Sequence, residues 1–163
     1  MSETSRQVTR LASTQGRIAE MLDETKWASE FTWSQLQTIS EHLCAYGAKQ
    51  GAVLVEEGDI DQSISIIVQG AVTILKSDHH GTMHRIATVR SSQSLGEMAV
   101  IDGEPRSARA EAATDVVMLV LTKDGFFRLA ENAPLLAFRL LWKISSMISR
   151  RLRKSDGHRT SGV

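Results

Sequence analysis

The stretch from Ser94 to Ala112, SLGEMAVIDGEPRSARAEA, holds an acid, a guanidinium and many residues with little side chain. Gly96 lets the backbone approach another group closely. Glu97 opens EMAVI, which reads as one helical turn after a strand. The first N–H groups of such a turn, at Met98 and Ala99, have no partner within it and attract an anion. Arg106 offers a planar fork that matches two oxygens of a phosphate, and Pro105 restricts the backbone before it. Ser107 and Ala108 are small, so their N–H groups and the serine hydroxyl can face the same anion. Glu97 cannot hold phosphate, but it accepts hydrogen bonds from sugar hydroxyls. Together these groups describe the recognition of a compact nucleotide monophosphate. A structural ion pair between Glu97 and Arg106 is the plainer alternative.

The elements that must position these residues are legible around them. Val8, Leu11, Ile18, Met21 and Leu22 fall near one helical face over residues 6–24. In FTWSQLQTISEHL, Thr32 and Gln35 read as a capping box before Leu36, Ile39 and Leu43. From Ala45 the period changes to short β-branched runs, GAVLVEEGD, SISIIVQGAVTILKSD, MHRIATV and DVVMLVLT, divided by turn signals. KDGFFRLAENA reads as a short helix, and Cys44 falls near the end of the second helical segment. A long helix is predicted from Pro134 to about Lys154, with Leu140, Leu141, Ile144, Ile148 and Leu152 in one stripe. The fold class is α+β: an antiparallel β-barrel or jelly roll, flanked by N-terminal helices and two C-terminal helices.

Composition narrows the class further. The 163 residues suit one domain with a real core, and 42% hydrophobic with 23% charged residues is an ordinary globular balance. Nineteen Lys and Arg face nineteen Asp and Glu, which argues against a broad nucleic-acid footprint. The single cysteine, Cys44, rules out an intrachain disulfide and points to a reducing compartment, the cytoplasm. No signal peptide or membrane span is read.

The cassette LGEMAVIDGEPRSARAEA resembles the phosphate-binding segment of the cyclic nucleotide-binding domain family, in which aromatic-Gly-Glu-Leu/Met-Ala precedes Pro-Arg-Ala/Ser/Thr-Ala. GAVLVEEGD resembles that family's early strand and turn, VQGAVTIL its hairpin, and TKDGFFRLAENAPLLAFRLL its hinge and lid helices. The resemblance covers about Phe31 to Lys154. It implies a binding domain at 31–154, with the barrel at about 45–121 and C-terminal helices at about 123–154. An N-terminal helical extension at 1–30 and a flexible tail at 155–163 flank it.

It further implies that Glu97 contacts a ribose 2′-hydroxyl and Arg106 the cyclic phosphate. Gly96, Met98, Ala99, Ser107 and Ala108 then line the phosphate, with Leu95 and Val89 beside the ligand. Arg151 and Leu152 on the last helix lie level with the base. Two positions depart from the pattern: Leu95 replaces an aromatic residue, and Arg109 stands where Thr or Ser is usual. Alternation with Ala108 and Ala110 leaves Arg109 pointing into the pocket or away from it. Ser107 after the arginine goes with cyclic AMP more often than cyclic GMP in the resembling family. The expectation is a stand-alone sensor of bacterial type, not an enzyme, that signals through its C-terminal helices to a separate protein effector. A homodimer through helices is compatible with it. A ligand-free or cyclic dinucleotide-binding module of the same fold is the alternative.

Other features carry less. His79, His80 and His84 sit around a hairpin turn and can point apart, so no metal is expected. Trp27, Trp33 and Trp142 read as packing residues in helices. The run SRRLRK at a helix C-terminus complements the helix dipole, so no direct nucleic-acid contact is expected.

Overall fold

One helix is predicted over residues 6–24, and the structure divides that segment. In the computed structural model, which describes residues 7–160, Val8–Arg10 is a strand, β1, and helix α1 covers only Gln15–Asp23. Thr14 caps α1 by accepting the Arg17 N–H. Val8 leaves the helical pattern because β1 pairs antiparallel with β2, Cys44–Ala48. A 3-10 turn at Lys26–Ala28 leads to α2, Trp33–Ser40. Its capping box forms as read: the Thr32 hydroxyl accepts the Gln35 N–H at 3.3 Å, and the Gln35 side chain accepts the Thr32 N–H at 2.9 Å. Cys44 opens β2 and is not at a helix end.

The strands β3 (Val53–Val55), β4 (Ser63–Gln69), β5 (Ala71–Ser77), β6 (Met83–Arg90) and β7 (Ser94–Leu95) follow. Next come the short helix α3 (Glu97–Asp102), β8 (Arg109–Ala112) and β9 (Val116–Thr122). Two C-terminal helices close the chain, α4 (Lys123–Asn132) and α5 (Pro134–Thr160), joined through Ala133 alone. Residues 155–160 continue α5 where a tail is predicted; 1–6 and 161–163 lie outside the described residues.

The strands form a five-stranded sheet, β1-β2-β9-β4-β7, and a four-stranded sheet, β3-β8-β5-β6. The predicted barrel is therefore an open, jelly-roll-like sandwich. A barrel closes only when every edge strand finds a partner; here β1, β7, β3 and β6 remain edges of separate sheets.

The sheets and helices make three layers around two cores. In β4 the alternation sends Ile64 and Ile66 toward the helices, while Ile67 joins the sandwich interior. β9 does the same with Leu119 and Leu121 on one side and Met118 on the other. β9 is thus apolar on both faces, which explains its unbroken hydrophobic run, whereas Ser63 and Ser65 interrupt that of β4. The outer core adds Leu22, Trp27, Leu36, Ile39, Leu129, Leu140 and Ile144 from the helices. Each such aliphatic side chain contributes about 1.5–3 kcal/mol on burial. The inner core, with Val55, Val72, Val89, Leu95, Ala110 and Ala112, lies beside α3 and the segment leading to β8.

Candidate functional site

The backbone of Arg106 is clamped before its side chain is considered. In the turn after β3, Glu56 N–H donates to the Asp59 carboxylate at 2.9 Å. Arg106 N–H then donates to Asp59 O at 2.7 Å, and Gly58 N–H donates to Arg106 O at 2.8 Å. The turn is itself fastened to β5. Glu57 accepts the Ser77 N–H at 3.1 Å and its hydroxyl at 3.0 Å, and these bonds hold its carboxyl below the ordinary range, with Lys76 adding to the effect. Lys76 also donates to the Ser107 carbonyl.

The Arg106 guanidinium is 6% exposed. Its Nη2 donates to Asp61 Oδ2 at 2.7 Å and to Ser63 O at 2.8 Å. Its Nη1 rests against Gly96: a Cβ there would lie 2.2 Å from Nη1 and 2.3 Å from Ser63 O. Gly96 also has φ 92°, which a side chain rarely tolerates, so glycine is required on two counts. Arg106 Nε is buried with no hydrogen-bond partner. A buried N–H without an acceptor is costly, and a phosphate oxygen is the acceptor such a group fits.

Gly96 caps α3, and the first bond inside the helix is Val100 N–H to Gly96 O. The N–H groups of Glu97, Met98 and Ala99 precede that bond and have no partner within the helix. Ala99 is buried, while the Met98 side chain is 58% exposed. Ser107 is exposed and Ala108 half-buried in the segment between Arg106 and β8. Val89 and Leu95 sit together in the inner core. Arg109 turns the other way, pairing with Glu111 at 3.2 Å and Glu56 at 3.6 Å, while Ala110 and Ala112 face the core.

Glu97 is 2% exposed, and both of its oxygens have partners. Oε1 accepts the Ser94 hydroxyl. Oε2 accepts Arg151 Nη1 from α5 at 2.6 Å, and Arg151 Nη2 donates to Ser94 O at 2.7 Å. The plain Glu97–Arg106 pair weighed from sequence is replaced by two separate pairs, Glu97–Arg151 and Arg106–Asp61. Leu152, expected beside the ligand, is 63% exposed and belongs to neither core.

Asp61, Ser63, Trp27 and Ser94 are site residues that sequence reasoning misses. Ser94 stands three residues before Glu97 within the quoted stretch, a spacing that places its hydroxyl on the carboxylate. Asp61 lies 45 residues from Arg106, and nothing local pairs them. The three histidines do not converge. His84 pairs with Asp78 at 2.7 Å, and among the described residues no group of His, Cys, Asp and Glu is arranged to hold a metal ion. Nor is any helix among them long and apolar enough to cross a membrane.

A two-sheet sandwich with a buried arginine packed on the glycine that caps a short helix has groups of the kind a small phosphoester needs. The sequence profile of the cyclic nucleotide-binding domain matches residues 48–133, and the chain belongs to that family. It is 29% identical over 107 residues to the cyclic AMP receptor protein of Thermus thermophilus, covering 66% of this chain and 48% of that one. It is 36% identical over 87 residues to a cyclic nucleotide-gated potassium channel of Rhizobium etli, covering 53% of this chain and 23% of the channel. The chain thus spans less than half the length of these relatives. The fold matches the crystal structure of a cyclic nucleotide-binding domain from Methylobacillus flagellatus with TM-score 0.84 at 24% identity, over 100% of this chain and 93% of that one.

Proposed function

We propose that this protein is a cyclic AMP receptor, not an enzyme, acting in the cytoplasm on a separate effector through its C-terminal helix. Arg106 and the N–H groups of Met98, Ala99 and Ala108 hold the cyclic phosphate, with the Ser107 hydroxyl beside them. Glu97 reads the ribose 2′-hydroxyl. Cyclic AMP is favoured over cyclic GMP because Ser107 replaces the threonine that resembling cyclic GMP sites use, and a cyclic AMP receptor protein is among the relatives.

One observation carries the signalling part of this reading. Arg151 on α5 holds the same carboxylate that the ribose needs. Glu97 is enclosed by Ser94 and Arg151, so a ribose hydroxyl reaches it only as Arg151 shifts. Arg151 is then released to solvent, and α5 loses its tie to the cassette. Differential contact of this kind is what moves an equilibrium between two helix positions. The effector surface offered is the exposed side of α5, where Leu135, Phe138 and Trp142 stand 74%, 56% and 67% exposed. A second copy of the chain fits that surface as well as a foreign partner.

The internal pairing of Arg106 with Asp61 and of Glu97 with Arg151 favours a second reading, a ligand-free interaction module. Calorimetric titration with cyclic AMP, cyclic GMP and cyclic dinucleotides separates the two. Ligand at a hundred times its dissociation constant adds about 2.7 kcal/mol of stability. Absence of any heat or thermal shift with all of them would sink the receptor reading. A cyclic GMP preference would sink the choice of ligand alone.

A further inference from the structure

The Glu97 carboxylate is aimed from behind by a chain of donors that begins outside the cassette. Trp27, in the 3-10 turn after α1, donates its indole Nε1–H to Ser94 Oγ at 2.9 Å. The Ser94 hydroxyl donates its own proton to Glu97 Oε1. A serine hydroxyl has one proton and two acceptor sites. With the indole N–H occupying an acceptor site, that proton is directed at Glu97 and has no competing use. All three residues are buried: Trp27 is 5% exposed, Ser94 0% and Glu97 2%. The chain therefore has no water to exchange with.

The indole is itself fixed. Trp27 belongs to the outer core. Lys143 Nζ of α5 lies 4.9 Å from its ring centroid and pairs with Glu30 at 2.6 Å. The ring thus lies between α5 on one side and the cassette on the other.

We infer that Trp27 and Ser94 are positioning residues for ribose recognition. They hold Glu97 Oε1 so that Oε2 alone faces Arg151 or a ligand hydroxyl. The cassette of residues 94–112 is completed by a residue of the N-terminal segment. The inference rests on the ribose role proposed for Glu97. The phosphate half of the site, built on Arg106, does not depend on this chain of donors, so the two halves respond separately to its loss.

The test is the ratio of dissociation constants for 2′-deoxy cyclic AMP and cyclic AMP, measured by calorimetry on the full chain. Phosphate and base contacts cancel in that ratio, and so does any uniform loss from loosened packing. Ser94→Ala frees Glu97 Oε1, and fixing the loosened side chain on binding lowers the ratio by about threefold to tenfold. Trp27→Phe keeps an aromatic ring in the core and removes the indole N–H together with some volume; the packing loss cancels in the ratio, which falls in the same direction by a smaller factor. The affinity for the 2′-deoxy analogue itself changes less than about twofold in both variants, since Arg106 is untouched. A ratio equal to wild type in both folded variants overturns the inference while leaving the ribose role of Glu97 standing. A wild-type ratio of one overturns the ribose role, and the inference falls with it.

Discussion

Replacing Arg151 with alanine should sharpen the preference for cyclic AMP over its 2′-deoxy analogue. On the proposed reading, the 2′-hydroxyl of a bound nucleotide has to take Glu97 Oε2 from Arg151, which holds it at 2.6 Å. The hydroxyl's bond to a buried carboxylate contributes about 2–3 kcal/mol. Arg151 is half in water, with a side-chain exposure of 51%, so its hold is discounted to about 1.4 kcal/mol. The difference, about tenfold, is the preference expected of the wild type. The 2′-deoxy analogue leaves Arg151 where it is and gains nothing from its removal. Arg151→Ala therefore raises the preference to about a hundredfold. The same change leaves a buried carboxylate with one partner fewer, and the protein without ligand loses about 1 kcal/mol, or about 2–4 °C in melting temperature. Calorimetric titration of both nucleotides against both proteins measures the first effect, and thermal denaturation the second. An unchanged or lower preference in Arg151→Ala would show that the arginine and the ribose do not contend for the same oxygen.

Arg106→Ala should cost about 2–4 kcal/mol of binding, thirtyfold to several hundredfold in affinity, and Arg106→Lys should restore little because an ammonium lacks the fork; titration of the folded variants decides. Gly96→Ala places a methyl 2.2 Å from Arg106 Nη1 at a φ of 92°, so it should cost about 1–3 kcal/mol in stability and displace the guanidinium, seen as weaker binding at temperatures where the variant is still folded. The His84 side chain and the Thr82 and His80 N–H groups hold the Asp78 carboxyl below its ordinary value. A depressed carboxyl stabilises the β5–β6 turn above its unfolded pKa of about 3.9, and that contribution is lost as pH falls through the depressed value. The Asp78 side-chain carboxyl carbon, followed by NMR, should therefore titrate with its midpoint below the ordinary value of about 3.9; a midpoint at or above that value would contradict this.

The cassette was readable because its chemistry is contiguous. Gly96, Glu97 and Arg106 lie in one run, and each has a residue type that only a few jobs require. β9 was readable because burial on both faces demands an unbroken apolar run. What escaped depends on distance along the chain. β1 is three residues long and exists because β2 accepts it. Arg151 and Glu97 are 54 residues apart, and Trp27 and Ser94 67 apart. No spacing rule reaches that far. Whether the sheets close depends on which strands end up at the edges, a property of the whole topology and of no segment in it. The extension of α5 past Lys154 escaped for another reason: a polar, charged stretch carries no apolar stripe to mark it as helix.

The single residue Ala133 between α4 and α5 has a mechanical consequence. α5 has 27 residues and is about 40 Å long, whereas among the described side chains its buried ones, Leu136, Ala137, Leu140 and Ile144, lie in its first half. On the proposed reading it is a lever with its fulcrum at Ala133. Arg151 grips it about 26 Å from that fulcrum. A contact so far out acts through a long arm, so Arg151 adds more restraint on the angle of α5 than the same ion pair would near Ala133. If that grip is released, a tilt of about 10° at Ala133 carries the far end by about 7 Å, more than one helical pitch of 5.4 Å. On the proposed reading, the exchange of one hydrogen bond at a sugar would become a displacement that a neighbouring molecule could detect.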